Sequence, residues 1–177
     1  RMHNKVKEHG HHPLVVGWTG SHSTLPYLND IIPAISKLQQ QYDFTFTVIA
    51  DKKPELDLPK WDFTPWNEAT EIDDLLKIDI GIMPLKADTW SEGKCGFKLI
   101  QYLSLGIPAV ASPVGVNKVI IEDGMNGFLA GTTSEWQEQL EKLITDAALR
   151  AGMGKKGHQK MLAAYSVQSQ KDTFLSL

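Results

Sequence analysis

Residues 78–112 hold the reading that decides the fold. They run Ile78-Asp79-Ile80-Gly81-Ile82-Met83-Pro84, then a loop, then Lys94-Cys95-Gly96-Phe97-Lys98-Leu99-Ile100-Gln101-Tyr102-Leu103-Ser104-Leu105-Gly106, then Ile107-Pro108-Ala109-Val110-Ala111-Ser112. The outer pieces are short apolar runs, which predicts buried strands over 78–84 and 108–112. The middle piece predicts a helix over 94–105 closed by Gly106. It is apolar around most of its circumference, the mark of a buried helix. A strand, a helix and a second buried strand make a parallel crossover unit.

The same alternation continues outward in both directions. Leu14 to Trp18 reads as a buried strand, followed by a loop of small and hydroxyl residues through Thr24. Leu28, Ile31, Ile32, Ile35 and Leu38 then recur at helical spacing, predicting a helix to about Tyr42. Ser23 or Thr24 can cap that helix, and Pro26 suits its first turn. Strands are expected at 44–50, 63–66 and 127–130, and helices at 68–76, 136–146, 155–165 and 167–175. Apolar strands alternating with helices predict an α/β fold. It is a doubly wound, mostly parallel, Rossmann-like sheet covered on both faces. We expect a leader or linker over 1–12, one domain over 13–164 and a final helix over 165–177.

Composition narrows the function classes. The 177 residues carry a net charge of −3, which argues against a general nucleic-acid binder, since such a domain shows a basic face. The single cysteine, Cys95, excludes a disulfide within the chain and is compatible with a reducing compartment. No apolar run approaches the ~20 residues that span a bilayer as a helix. His3, His9, His11 and His12 lie in the polar leader. A metal site there is disfavoured, because ligands need fixed geometry.

Doubly wound sheets bind ligands beyond the carboxyl ends of their strands, so the loops after strands are the informative ones. In the first of these, Gly20, Ser21, Ser23 and Thr24 offer backbone N–H groups and hydroxyls before a helix, a setting that favours phosphate. An ordinary capped connection explains that loop equally well. On the 94–105 helix, Lys94, Lys98 and Gln101 share one face. A lysine in an apolar helix needs an anionic partner unless it reaches solvent. Both readings stay open on spacing alone. A diphosphate at the opening turn would meet the helix dipole and two ammonium groups together. Trp66 either stacks on a base or belongs to the core, and its place at a strand end on the binding edge favours the base. Cys95 has no sequence-evident base and reads as a small helix-start residue. Asp88 and Trp90 either touch a sugar or shape their loop. Trp61 and Trp136 read as packing residues, and the Asp123 to Gly127 turn as structural.

The unit Lys98-x-x-Gln101-Tyr102-x-x-x-Gly106-x-Pro108, followed by Asp123-Gly124-Met125-Asn126-Gly127, resembles the C-terminal domain of GT-B glycosyltransferases of family 4. The resemblance runs from about Leu14 to Ser166. It implies a UDP- or GDP-sugar donor, transfer to an acceptor hydroxyl with retention, no cofactor and no metal for the diphosphate. It also implies a partner N-terminal acceptor domain outside these residues. On that reading the fragment binds donor without catalysing transfer, and names no catalytic residue. The location implied is cytoplasmic, with attachment to a membrane surface left open. By position, the loop from Gly17 to Thr24 and Lys98 match groups near the diphosphate. Cys95, Gly96 and Phe97 match helix-opening residues whose backbone approaches the donor sugar. Phe63 to Asn67 match the loop beside the base, and Gly115, Val116 and Asn117 a loop near the phosphates. Gln101 matches the second acid of an E-x7-E motif that binds the ribose hydroxyls. The first acid falls on Gly93, and the usual Arg after the first strand on Trp18. A bacterial branch whose helix reads G-K-C-G-F-K-L-I-Q-Y shares these departures. Two rival readings are another GT-B enzyme, such as a sugar-nucleotide epimerase, and a flavodoxin-like interaction module. The first needs acid/base residues in the cleft. The second needs acids clustered after the first strand, where Gly17-Trp18-Thr19-Gly20 stands instead.

Overall fold

A computed structural model of the chain describes residues 5–8, 13–86 and 96–164. Its strands are β1 (Leu14–Gly20), β2 (Phe44–Ala50), β3 (Trp61–Pro65), β4 (Ile80–Met83), β5 (Ala109–Ala111) and β6 (Gly127–Leu129). All pairs are parallel, in the order β3-β2-β1-β4-β5-β6. The winding direction reverses between β1 and β4, and at such a reversal the two crossovers leave a crevice beyond the strand ends. The doubly wound, Rossmann-like expectation is met.

Helices α1 (Ile32–Gln39) and α5 (Thr133–Thr145) cover one face. There Val16, Trp18, Phe46, Val48, Ile80, Ile82 and Val110 share a core with Ile35, Leu38, Trp136 and Leu140. Helices α2 (Glu71–Leu75), α3 (Phe97–Ser104) and α4 (Asn117–Ile120) cover the other, where Ile49, Met83, Ala109 and Ala111 meet Leu75, Leu99, Tyr102, Leu103 and Ile120. Strand residues thus alternate between two cores, as the period of two requires. Each fully buried Leu, Ile or Phe among them contributes about 1.5–3 kcal/mol. The last helix, α6 (Ala147–Ala164), joins the cores, with Met153 in the first and Met161 in the second.

Several boundaries differ from the sequence reading, each for a local reason. The helix expected from Thr24 to Tyr42 is a 3-10 helix, His22–Asp30, followed by the shorter α1. Pro33 sits in the first turn of α1 and has no N–H to continue a helix from above. The expected side-chain cap is absent. Thr24 instead closes a turn, its amide and Oγ1 both donating to the Ser21 carbonyl at 2.9 and 3.0 Å. Helix α3 is amphipathic rather than buried all round: Leu99, Tyr102 and Leu103 are buried, while Phe97 is 59% exposed. One face of this two-turn helix packs on the sheet, and the rest looks outward. Helix α6 starts eight residues before the expected Lys155; Gly152 and Gly154 masked its first turns. Within the span read as a leader, Lys7 is buried against the domain. The expected helix over 167–175 lies outside the described residues.

Candidate functional site at the carboxyl edge of the sheet

Where β1 and β4 meet at the crevice, glycines make room for the chain's own side chains, Ile78 at Gly17 and Tyr102 at Gly81. Gly17 pairs with Gly81 across it. A Cβ at Gly81 would lie 2.6 Å from the Tyr102 ring, so the ring packs flat on the glycine. The pairing of these two strands ends there. Beyond it the Thr19 amide donates to Tyr102 Oη at 3.0 Å, and Tyr102 Oη donates to the Ile82 carbonyl at 3.5 Å. Full burial raises the Tyr102 pKa above the ordinary phenol value, so the hydroxyl stays neutral. Tyr102 therefore joins the two strands where the sheet opens.

Next to this opening, Trp18 is buried in β1 and its ring rises past Gly20, whose side-chain position it occupies. The Lys98 ammonium, from the first turn of α3, lies 5.1 Å from the Trp18 ring centroid. That is cation–π range, and it brings the cation over the end of β1 rather than out along the surface of α3. Ser21 and Ser23 share a hydrogen bond between their hydroxyls at 2.8 Å, exposed on the same loop.

The start of α3 is built on a glycine. Gly96 is the N-cap, with φ at +65°, and it is buried. A side chain there would overlap Ile120 and lie 3.0 Å from Val116 Cγ1 and 3.8 Å from Asn117 Oδ1. So the segment 115–117 packs directly on the opening turn of α3, and two of the loops singled out from sequence converge. Asn117 is 1% exposed; its Nδ2 donates to the Ser112 carbonyl at 3.0 Å. Its Oδ1 is buried without a hydrogen-bond partner among the described residues. An unmet buried acceptor costs about 1–3 kcal/mol, which invites a donor from a ligand. Lys94 and Cys95, and with them Asp88 and Trp90, lie outside the described residues.

Trp66 directly follows β3 and is 46% exposed. Its Nε1 donates to Glu71 Oε1 at 3.1 Å. Gln101 Nε2 donates to the same oxygen, also at 3.1 Å. The aromatic and the amide picked out by sequence therefore meet, through a carboxylate that was not picked out. A second feature was also missed. His22 donates through its backbone N–H to Asp51 Oδ1, and its Nδ1 pairs with Oδ2, both at 2.6 Å. That bonding holds the Asp51 carboxyl below the usual carboxylate range. The pair ties the loop after β1 to the loop after β2. Glu71 is one of a run of acids with Glu68, Asp73 and Asp74, Asp51 lies in a polar stretch, and no spacing singled either out. Asp123 and Asn126 act structurally, accepting from Leu129 N and Glu122 N. No group of three or more potential metal ligands occurs among the described residues.

Sequence comparison with curated proteins gives no match. The family model described as Glycosyl transferases group 1 matches residues 13–146. Among solved structures, the C-terminal domain of a glycosyl transferase group 1 family protein (LpcC) from Francisella tularensis superposes with a TM-score of 0.71 at 19% identity, over 88% of this chain and 87% of that one. HepE of Anabaena, solved with UDP and glucose, gives 0.73 at 19% identity, over 93% of this chain and 49% of that one. TarM of S. aureus, in a complex that includes UDP, gives 0.73 at 17% identity, over 99% of this chain and 37% of that one. At these identities the likeness is one of fold, and the chain spans half or less of HepE and TarM.

Proposed function

The chain belongs to the glycosyl transferases group 1 family, and from that premise we propose that it binds the nucleoside diphosphate of a UDP- or GDP-sugar at the carboxyl edge of its sheet. In the full-length enzyme the sugar then passes to an acceptor hydroxyl with retention of configuration. The C1–oxygen bond to the diphosphate breaks, a bond from C1 to the acceptor oxygen forms, and the acceptor proton is released. Charge develops on the departing diphosphate, so fixed positive groups beside it stabilise the transition state more than the ground state.

The observation that carries this reading is the position of the Lys98 ammonium, stacked on Trp18 beside the opening turn of α3. A diphosphate there meets that cation, the N–H groups of the helix start and the loop after β1. Charge neutralisation then rests on protein groups rather than a bound metal. Gly96 lets the loop 115–117 pack on the helix start, and Asn117 Oδ1 lies buried beside it without a hydrogen-bond partner among the described residues. Trp66 offers a ring face to the base. The acceptor and the remaining catalytic groups belong to a second domain, so this chain alone binds donor and transfers nothing.

A thermal-shift panel of UDP, GDP and ADP tests the proposal. Ligand at ten times Kd stabilises by about 1.4 kcal/mol, roughly 3–6 °C for a domain of this size. UDP or GDP is expected to give that rise, and Lys98→Ala to lose most of it while the unliganded melting temperature changes little. No shift with any nucleotide at millimolar concentration would contradict the proposal.

A further inference from the structure

We propose that Glu71 supplies the carboxylate that receives the ribose hydroxyls of the bound nucleotide, a role position 101 cannot fill here because it is an amide. The inference rests on the donor-site reading above and assigns a specificity residue within it.

Three observations converge on Glu71. It stands at the start of α2, and Gln101 lies on α3, thirty positions away in the sequence, yet Gln101 Nε2 reaches Glu71 Oε1 at 3.1 Å. The acid therefore occupies the space next to position 101. The Gln101 amide spends a donor on Glu71, and what it can still offer as an acceptor is a neutral carbonyl. A carboxylate accepts O–H donors more strongly than an amide carbonyl does. Second, the Trp66 indole N–H donates to that same Oε1 at 3.1 Å. This fixes the edge of a ring that is 46% exposed, so an open aromatic face and a carboxylate sit side by side. A nucleoside presents the matching pair, a flat base joined to a sugar carrying a vicinal diol. Third, both of these bonds go to Oε1, which leaves Oε2 pointing its lone pairs elsewhere. A diol donates O–H bonds and takes none from a carboxylate, so the chemistry fits in one direction only. Trp66 and Gln101 act as positioning residues: they orient the carboxylate before the ligand arrives, which lowers the ordering cost of binding.

A purely architectural role, clamping α2 to α3, makes a different prediction, and a ligand lacking the diol separates the two. Calorimetry on the full 177-residue chain would measure UDP and GDP against their 2′,3′-dideoxy forms. Charge-assisted bonds of this kind predict that the wild type favours the ribose form roughly tenfold to a hundredfold. Glu71→Gln, which keeps shape and one acceptor, is expected to lose that preference while binding the dideoxy form as the wild type does. The wild-type comparison needs no variant and so does not depend on how Glu71→Gln folds. A wild type with no preference for the ribose form overturns the assignment, as does a Glu71→Gln chain that keeps the preference. So does a Glu71→Gln chain that weakens both ligands equally, the signature of a clamp. Each of these leaves the donor site standing. Failure of the wild type to bind any of the four ligands removes the donor site and this assignment together.

Discussion

At Gly96 two independent constraints fall on one residue. Its φ of +65° is in the left-handed region, which costs a non-glycine residue about 1–2 kcal/mol. Any side chain would also run into Ile120, and overpacking of this kind costs a further ~1–3 kcal/mol. Gly96→Ala is therefore expected to destabilise the chain by about 2–5 kcal/mol, read as a lower midpoint in chemical denaturation. An unchanged midpoint would mean that α3 and α4 are not packed as described. The sequence suggested that the glycines before α3 admit a ligand. At Gly96 the closest neighbours are the chain's own Val116, Asn117 and Ile120, so the glycine first serves the convergence of two loops. Lys98 was legible as a cation on an apolar helix. Its stacking on Trp18 was not, because Trp18 looked only like the place where a cation was missing.

The strands were the most legible elements. Phe44 to Ala50 is a strand over the very span that its β-branched and aromatic run predicted, and the other strands differ only at their ends. Helices were harder where their residues disfavour helix on paper. Helix α6 contains Gly152, Gly154 and Gly157, and the first and last of them do different things. A Cβ at Gly157 would lie 2.7 Å from Leu103 Cδ2, so this glycine lets α6 approach α3 closely. Nothing lies within 4 Å of a Cβ at Gly152, which is simply an unfavourable helix residue. Gly152→Ala should stabilise by up to about 1 kcal/mol from helix propensity, whereas Gly157→Val should destabilise by roughly 1–3 kcal/mol. Equal effects of the two changes in urea denaturation would contradict the packing of α6 on α3. The cluster of Trp66, Glu71 and Gln101 belongs to this scale too. Its members sit just after β3, on α2 and on α3, and only the sheet order brings those segments together. Spacing along the chain carries no trace of it.

Across the whole molecule the two edges of the sheet do different work. The carboxyl edge gathers Lys98, the start of α3 and Trp66. The amino edge is closed by the segment leading into β1. There Lys7 Nζ pairs with Asp79 Oδ1 at 3.0 Å and donates to the Leu76 carbonyl at 2.7 Å, with both charged side chains almost fully buried. The Lys7 amide also donates to the Leu105 carbonyl, and Asp79 Oδ2 accepts from Val15 N. A cleft of about 510 Å³ lined by Val6, Lys7, Glu8, Val15, Leu76 and Lys77 lies beside this junction. It is remote from the carboxyl edge, and the ammonium within it is already matched. Removing one partner of a buried pair leaves the other charge uncompensated, at about 3–5 kcal/mol. Lys7→Ala should therefore cost that much in equilibrium unfolding, and a loss below about 1 kcal/mol would show the segment to be loosely attached. Polar composition made residues 1–12 read as a leader, and one lysine reaching a buried aspartate lies beyond any local pattern.

The central claim is that a nucleoside diphosphate docks at the carboxyl edge, between the ends of β1 and β4. Backbone amide shifts recorded by NMR during a UDP or GDP titration test it most directly. The largest changes are expected on Thr19 to Thr24, Trp66, Glu71, Gly96 to Gln101 and Val116 to Asn117. Changes centred on Lys7, Leu76 and Lys77 at the opposite edge, or no changes at saturating nucleotide, would contradict it.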